Sequence, residues 1–180
     1  MEMKNRYLIN ERTVMLAEEY DKRGKCFSKV IEGYYTFLVN MTPVEIIEEA
    51  LRRELTNFDR ALNYSELLES KKTICLNPHL GIILFPTQSL KKQNSEWFSL
   101  LHIKNKRALG MRRTEVCTSF GHKIVIDIKF STFNTKERRA YQFRNILSKQ
   151  QNYPLTFYLE PKGVLSMKND PDENTSVIKR

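Results

Sequence analysis

At 180 residues the chain suits one domain, and 41% apolar residues, with ten Phe and eight Tyr, suffice for a packed core and argue against wholesale disorder. The net charge of +9 is uneven: residues 1–70 carry ten Lys and Arg against thirteen Asp and Glu, residues 71–180 twenty against eight, which predicts a polyanion partner for the second part. Three separated cysteines (Cys26, Cys75, Cys117) argue against a disulfide framework or zinc site, and the lack of a long apolar run or signal-peptide core predicts a cytoplasmic protein with no membrane association.

The segments RYLIN (6–10), TVMLAEEY (13–20) and YYTFLVN (34–40) are rich in β-branched and aromatic residues and read as short strands. Residues 42–55 predict a helix: Thr42 caps, Pro43 suits the first position, and Glu45 completes a T-x-x-E capping box. Val44, Ile47, Ala50 and Leu51 form its apolar stripe, with Glu48–Arg52 and Glu49–Arg53 as i,i+4 pairs on the wet side. Residues 57–72 are polar and predict a short helix. Two apolar strands follow in TICLNPHLGIILFPTQ (73–88), broken at Asn77-Pro78, and EWFSLLHIK (96–104) reads as one further strand. TEVCTSFGHKIVIDIKF (114–130) predicts a hairpin turning at Gly121-His122. A second main helix spans about 132–150 with Ser131 or Asn134 as cap, then a short strand at 155–161 and a polar, disordered tail at 162–180. The expected fold is α+β: one domain over 1–161, mostly antiparallel sheet, with two main helices.

Catalytic motifs are absent from the sequence: no G-x-S-x-G, Gly-rich phosphate loop or H-E-x-x-H, and no metal-ligand spacing among His79, His102 and His122. Neither an enzyme nor a cofactor is expected; the catalytic alternative is a small hydrolase using Cys117 with His102 or His122. The basic residues fall in two groups. Lys104, Lys106, Arg107, Arg112 and Arg113 lie within ten residues without an acid, beside a strand bearing Trp97 and Phe98, with Lys91 and Lys92 on its other side. On the second helix, Phe133, Ala140, Phe143 and Leu147 form the packing stripe. Arg138, Gln142, Asn145 and Lys149 gather opposite, and Arg139 and Arg144 flank the stripe. Such residues bond phosphates and base edges, but they also make ordinary solvated surface, and they do not distinguish DNA from RNA.

The segments FLVNMTPVEII (37–47), NPHLGIILFPTQS (77–89) and WFSLLHIK (97–104), with Phe133, Arg139 and Arg144 further on, resemble in order and spacing the ComK family of competence transcription factors, over about residues 5–162. The resemblance implies a sequence-specific activator of DNA-uptake and recombination genes and of its own promoter. It implies dimers that pair on A/T-rich promoter DNA, reading largely the minor groove, and contact with RNA polymerase. The candidate DNA contacts are Lys104, Arg139 and Arg144, which fall in the resembling segments, and Lys106, Arg107, Arg112, Arg113, Arg138 and Gln142, which are chosen on charge and residue type. The resemblance also implies an adaptor that delivers the chain to a Clp protease, with Phe157, Leu159 and Pro161 as the matching contact and Glu160 as a departure from its apolar pattern. An RNA-binding regulator remains the alternative from composition alone.

Overall fold

The computed structural model describes residues 2–70, 72–88 and 95–150. Its strands β1 (Met3–Lys4), β2 (Thr13–Tyr20), β3 (Cys26–Glu32), β4 (Tyr35–Val39), β5 (Ile74–Asn77), β6 (Ile82–Pro86) and β7 (Glu96–Ser99) make one sheet in the order β1-β4-β3-β2-β7-β6-β5. Pairing is antiparallel except between β1 and β4. A second sheet, β10-β9-β8, comprises β8 (Ile103–Leu109), β9 (Arg113–Thr118) and β10 (Lys123–Ile126). The helices are α1 (Pro43–Arg53), α2 (Phe58–Leu67) and α3 (Phe130–Gln150). The mostly antiparallel α+β architecture agrees with the sequence expectation, and the 155–161 strand and 162–180 tail lie outside the described residues.

The larger sheet is covered on both faces. Leu16, Val30, Ile82, Leu84 and Trp97 pack with Ile46, Ile47 and Leu51 of α1, while Val14, Ile31, Ile83, Phe85 and Phe98 pack with Phe133, Ala140, Phe143 and Leu147 of α3 and Val116 and Ile126 of the smaller sheet. Successive strand residues point to opposite faces, so a strand buried on both sides reads as a continuous apolar run; β6, with Ile82 to Phe85 all buried, is that case. A bulge between Thr13 and Met15 lets Val14 and Met15 both join the α3-side core.

Local expectations hold where the local signal is strong. The Thr42 hydroxyl accepts from the Glu45 amide at 3.2 Å, and the Glu45 carboxylate accepts from the Thr42 amide at 2.6 Å, closing the capping box. Glu48 pairs with Arg52 at 3.5 Å, but Glu49 and Arg53 form no ion pair among the described residues. The core stripe of α1 centres on Ile46 and Ile47, with Val44 and Ala50 only half-buried. Three readings change. RYLIN is not a strand; only Met3–Lys4 pairs, and Tyr7 instead enters the core. The α3 helix begins at Phe130, so Ser131 and Asn134 lie inside it rather than capping it. EWFSLLHIK is not one strand: a 3-10 turn at Leu100–His102 ends β7 and sends the chain into the second sheet as β8.

Candidate nucleic-acid interface

The crossing turn is held by His102. Its Nε2 donates to the Glu11 carbonyl at 2.7 Å, on the larger-sheet side, and its own carbonyl accepts from the Ser119 amide at 3.0 Å at the end of β9. The ring is buried 5.1 Å from the Phe120 ring, and burial draws its pKa below the ordinary histidine value. From this anchor the β8–β9 hairpin runs out to a tip at 110–112, where Gly110 takes a positive φ of 66° that suits glycine.

The five cations of this hairpin divide by partner. Lys106 turns toward α3, where its ammonium hydrogen-bonds the carboxylate of Glu137, a residue only 5% exposed. Arg107 sits directly across from Glu115 on β9 and holds it with Nε–Oε1 at 2.7 Å and Nη2–Oε2 at 3.2 Å. That two-pronged bond lowers the Glu115 carboxyl and raises the Arg107 guanidinium from their ordinary values. Lys104, Arg112 and Arg113 are exposed and form no ion pair among the described residues. Lys104 is the extra residue of a bulge between Ile103 and Asn105, a feature that re-aims side chains. Met111 stands between Gly110 and Arg112 at the tip, 90% exposed.

On α3 the stripe is as expected, with one addition: Glu137 lies within it among Phe133, Ala140, Phe143 and Leu147. An acid on an apolar stripe demands a partner, and Lys106 supplies it, tying α3 to the hairpin. Arg138, Gln142, Asn145 and Lys149 are exposed on the other side, and Arg139 and Arg144 are half-buried at its margins. The Arg144 guanidinium lies 5.0 Å from the centre of the Tyr141 ring. Two of the nine candidate contacts, Lys106 and Arg107, are thus engaged by carboxylates of the chain itself. Sequence reasoning did not find those carboxylates; the position of Glu137 within the stripe was the available signal.

The thiol-and-base alternative finds no geometry in its support. Each candidate base is held to backbone through one ring nitrogen: His102 Nε2 donates to the Glu11 carbonyl and His122 Nε2 to the Gly33 carbonyl, each at 2.7 Å. Among the described residues no hydrogen bond joins Cys117 to either ring, and no cluster of His, Cys, Asp and Glu could hold a metal ion. Burial pushes the Cys75 thiol up to about 12, which makes it a poor nucleophile. No helix of the described residues is long and apolar enough to cross a membrane. The adaptor contacts Phe157, Leu159 and Pro161, and Lys91 and Lys92, lie outside the described residues.

Comparison with known proteins places the chain in a family. The family model for the ComK protein matches residues 4–152. The chain is 32% identical over 142 residues to the competence transcription factor of Bacillus subtilis (strain 168), covering 77% of this chain and 73% of that protein. No solved structure matches. The matched span takes in both sheets and all three helices, and the chain belongs to the ComK family.

Proposed function

We propose that this chain is a cytoplasmic competence transcription factor that activates DNA-uptake and recombination genes and its own promoter by binding A/T-rich boxes in duplex DNA. Family membership and the competence transcription factor among its relatives support the class. The observation that carries the contact surface is the set of exposed cations at Lys104, Arg112 and Arg113, without ion pairs among the described residues, beside a helix presenting Arg138 and Gln142. Arg139 and Arg144 complete it at the helix margins. A two-stranded hairpin tip with adjacent arginines suits a narrow A-tract minor groove, whose negative potential draws Arg and Lys. Met111 at the same tip is an apolar side chain of the kind that wedges between base steps. Lys106 and Arg107 serve instead as the struts that hold the hairpin, through Glu137 and Glu115. The active species is a dimer, or a pair of dimers on two boxes, that contacts RNA polymerase; an adaptor of a Clp protease acts through Phe157, Leu159 and Pro161. Catalysis and cofactors have no part in it.

A gel shift on duplex carrying paired A- and T-rich boxes, run at several salt concentrations, tests this reading. Binding should exceed that to random duplex and to single-stranded RNA, and Arg112→Ala with Arg113→Ala should flatten the log–log salt slope by about two units. Equal affinity for random duplex defeats the sequence-specific reading, and preference for RNA favours the RNA-binding alternative.

A further inference from the structure

Between the α2–β5 connection and one flank of α3 lies a groove of about 220 Å3, over the end of β6. Its polar lining is Lys72, Lys136, Arg139, Gln88, Ser70 and Thr73, with no carboxylate among the described residues. The two hydroxyls already donate within the loop, Ser70 to the Leu68 carbonyl at 3.1 Å and Thr73 to the Ser70 carbonyl at 2.8 Å. The Lys72 ammonium and the Arg139 guanidinium on this lining are a pair of cationic donors, which selects an anion. Lys72 and Arg139 carry no ion pair among the described residues. Lys72 also sits at a φ of 70°, a left-handed conformation that side chains with a Cβ adopt rarely. Glycine favours that backbone, so a Lys72→Gly change removes the charge without straining the loop. A larger neighbouring groove shares Lys72 and Arg139 but is walled by Glu66 and Glu69, which turn an anion toward the smaller one.

We propose that Lys72 and Arg139 in this groove hold one backbone phosphate of bound duplex DNA. This rests on the DNA-binding reading above and deepens it. At about 100° per residue Lys136 and Arg139 share one flank of α3, Glu137 and the hairpin occupy another, and the exposed ridge of Arg138 and Gln142 lies between. A phosphate anchored in the groove fixes how the duplex registers against that ridge, as backbone contacts do without reading sequence themselves.

The test compares the full-length wild-type chain with Lys72→Gly, Arg139→Gln and the control Lys22→Gln, a distant exposed cation in the β2–β3 turn. Lys72→Gly removes the charge while relieving the backbone, so it should melt no lower than wild type. On A/T-box duplex each groove variant should bind several-fold more weakly near 0.1 M salt and flatten the salt slope by about 0.9, and Lys22→Gln should change neither. Wild-type slopes in both groove variants overturn the groove assignment and leave the DNA reading standing. A wild-type chain that binds no duplex sinks both. Inorganic phosphate separates the group from its carrier: added at constant ionic strength, it should shift the Lys72 amide and the Arg139 Nε–H resonances of wild type, and not those of Lys72→Gly. No such shift overturns the proposal. Shifts with phosphate but unchanged duplex slopes identify a free-anion site, which also overturns it.

Discussion

The Glu137–Lys106 pair is the contact on which the placement of the hairpin against α3 depends. The Glu137 side chain is 7% exposed and that of Lys106 19%, so both charges are largely out of water. Removing one partner of a buried pair costs roughly 3–5 kcal/mol, because the other charge is left desolvated. Lys106 retains a fifth of its exposure and a flexible stem that can swing toward solvent, which brings the expectation for Glu137→Ala down to about 2–3 kcal/mol. A domain of this size loses roughly 2–4 °C of Tm per kcal/mol, giving a fall of about 4–12 °C by calorimetry or circular dichroism. Replacing both partners, Lys106→Met with Glu137→Leu, exchanges the pair for apolar packing and should fall within about 1 kcal/mol of wild type. The double variant should also keep the wild-type salt slope for duplex DNA, because Lys106 is a strut in this account and not a phosphate contact. The reasoning is refuted if Glu137→Ala melts within about 1 °C of wild type, or if the double variant flattens the slope by a full unit.

Two further outcomes follow from single side chains. His102 has a depressed pKa in the folded state, so on acidification the unfolded chain binds that proton first. Its stabilising share is complete above about pH 6.5 and is lost as pH falls below that value, so wild-type Tm should decline between pH 6.5 and 5 more steeply than that of His102→Gln; parallel profiles would remove His102 as the cause. Met111→Ser should leave both Tm and salt slope unchanged while lowering duplex affinity by about tenfold and reducing the DNA bend seen by circular-permutation gel shift. Unaltered affinity and bend would show that the exposed methionine does not enter the duplex.

Where sequence was a good guide, the determining contacts are close along the chain. The box between Thr42 and Glu45 spans three residues, and the Asn77-Pro78 break and the Gly121-His122 turn are each set by local backbone preference. The stripe Phe133–Ala140–Phe143–Leu147 follows from helical period alone. The turn at Leu100–His102 was hidden because nothing in SLLHIK breaks a strand; what bends the chain is the bond from His102 to a carbonyl 91 residues away. The division among the hairpin cations was likewise beyond local reading. Lys106 and Glu137 are 31 residues apart, and Arg107 meets Glu115 because the turn at 110–112 sets the hairpin register. Charge counting finds the basic region but does not tell cations paired within the chain from those left exposed.

The covered faces of the large sheet have a genetic consequence. Because α1 and α2 close one face and α3 with the smaller sheet closes the other, both the acidic residues 1–70 and the basic remainder contribute to the buried body, while Lys104, Arg112, Arg113 and Arg138, without ion pairs among the described residues, stay on the surface. Loss-of-function alleles should therefore sort into two kinds. Changes at Ile46, Leu51, Val30 or Trp97 should deplete the protein from the cell and be rescued by overexpression or lower growth temperature. Changes at Arg112, Arg113 or Arg138 should leave its abundance normal and its promoters silent. In an oligomer, alleles of the second kind would also poison a wild-type copy, and those of the first would not.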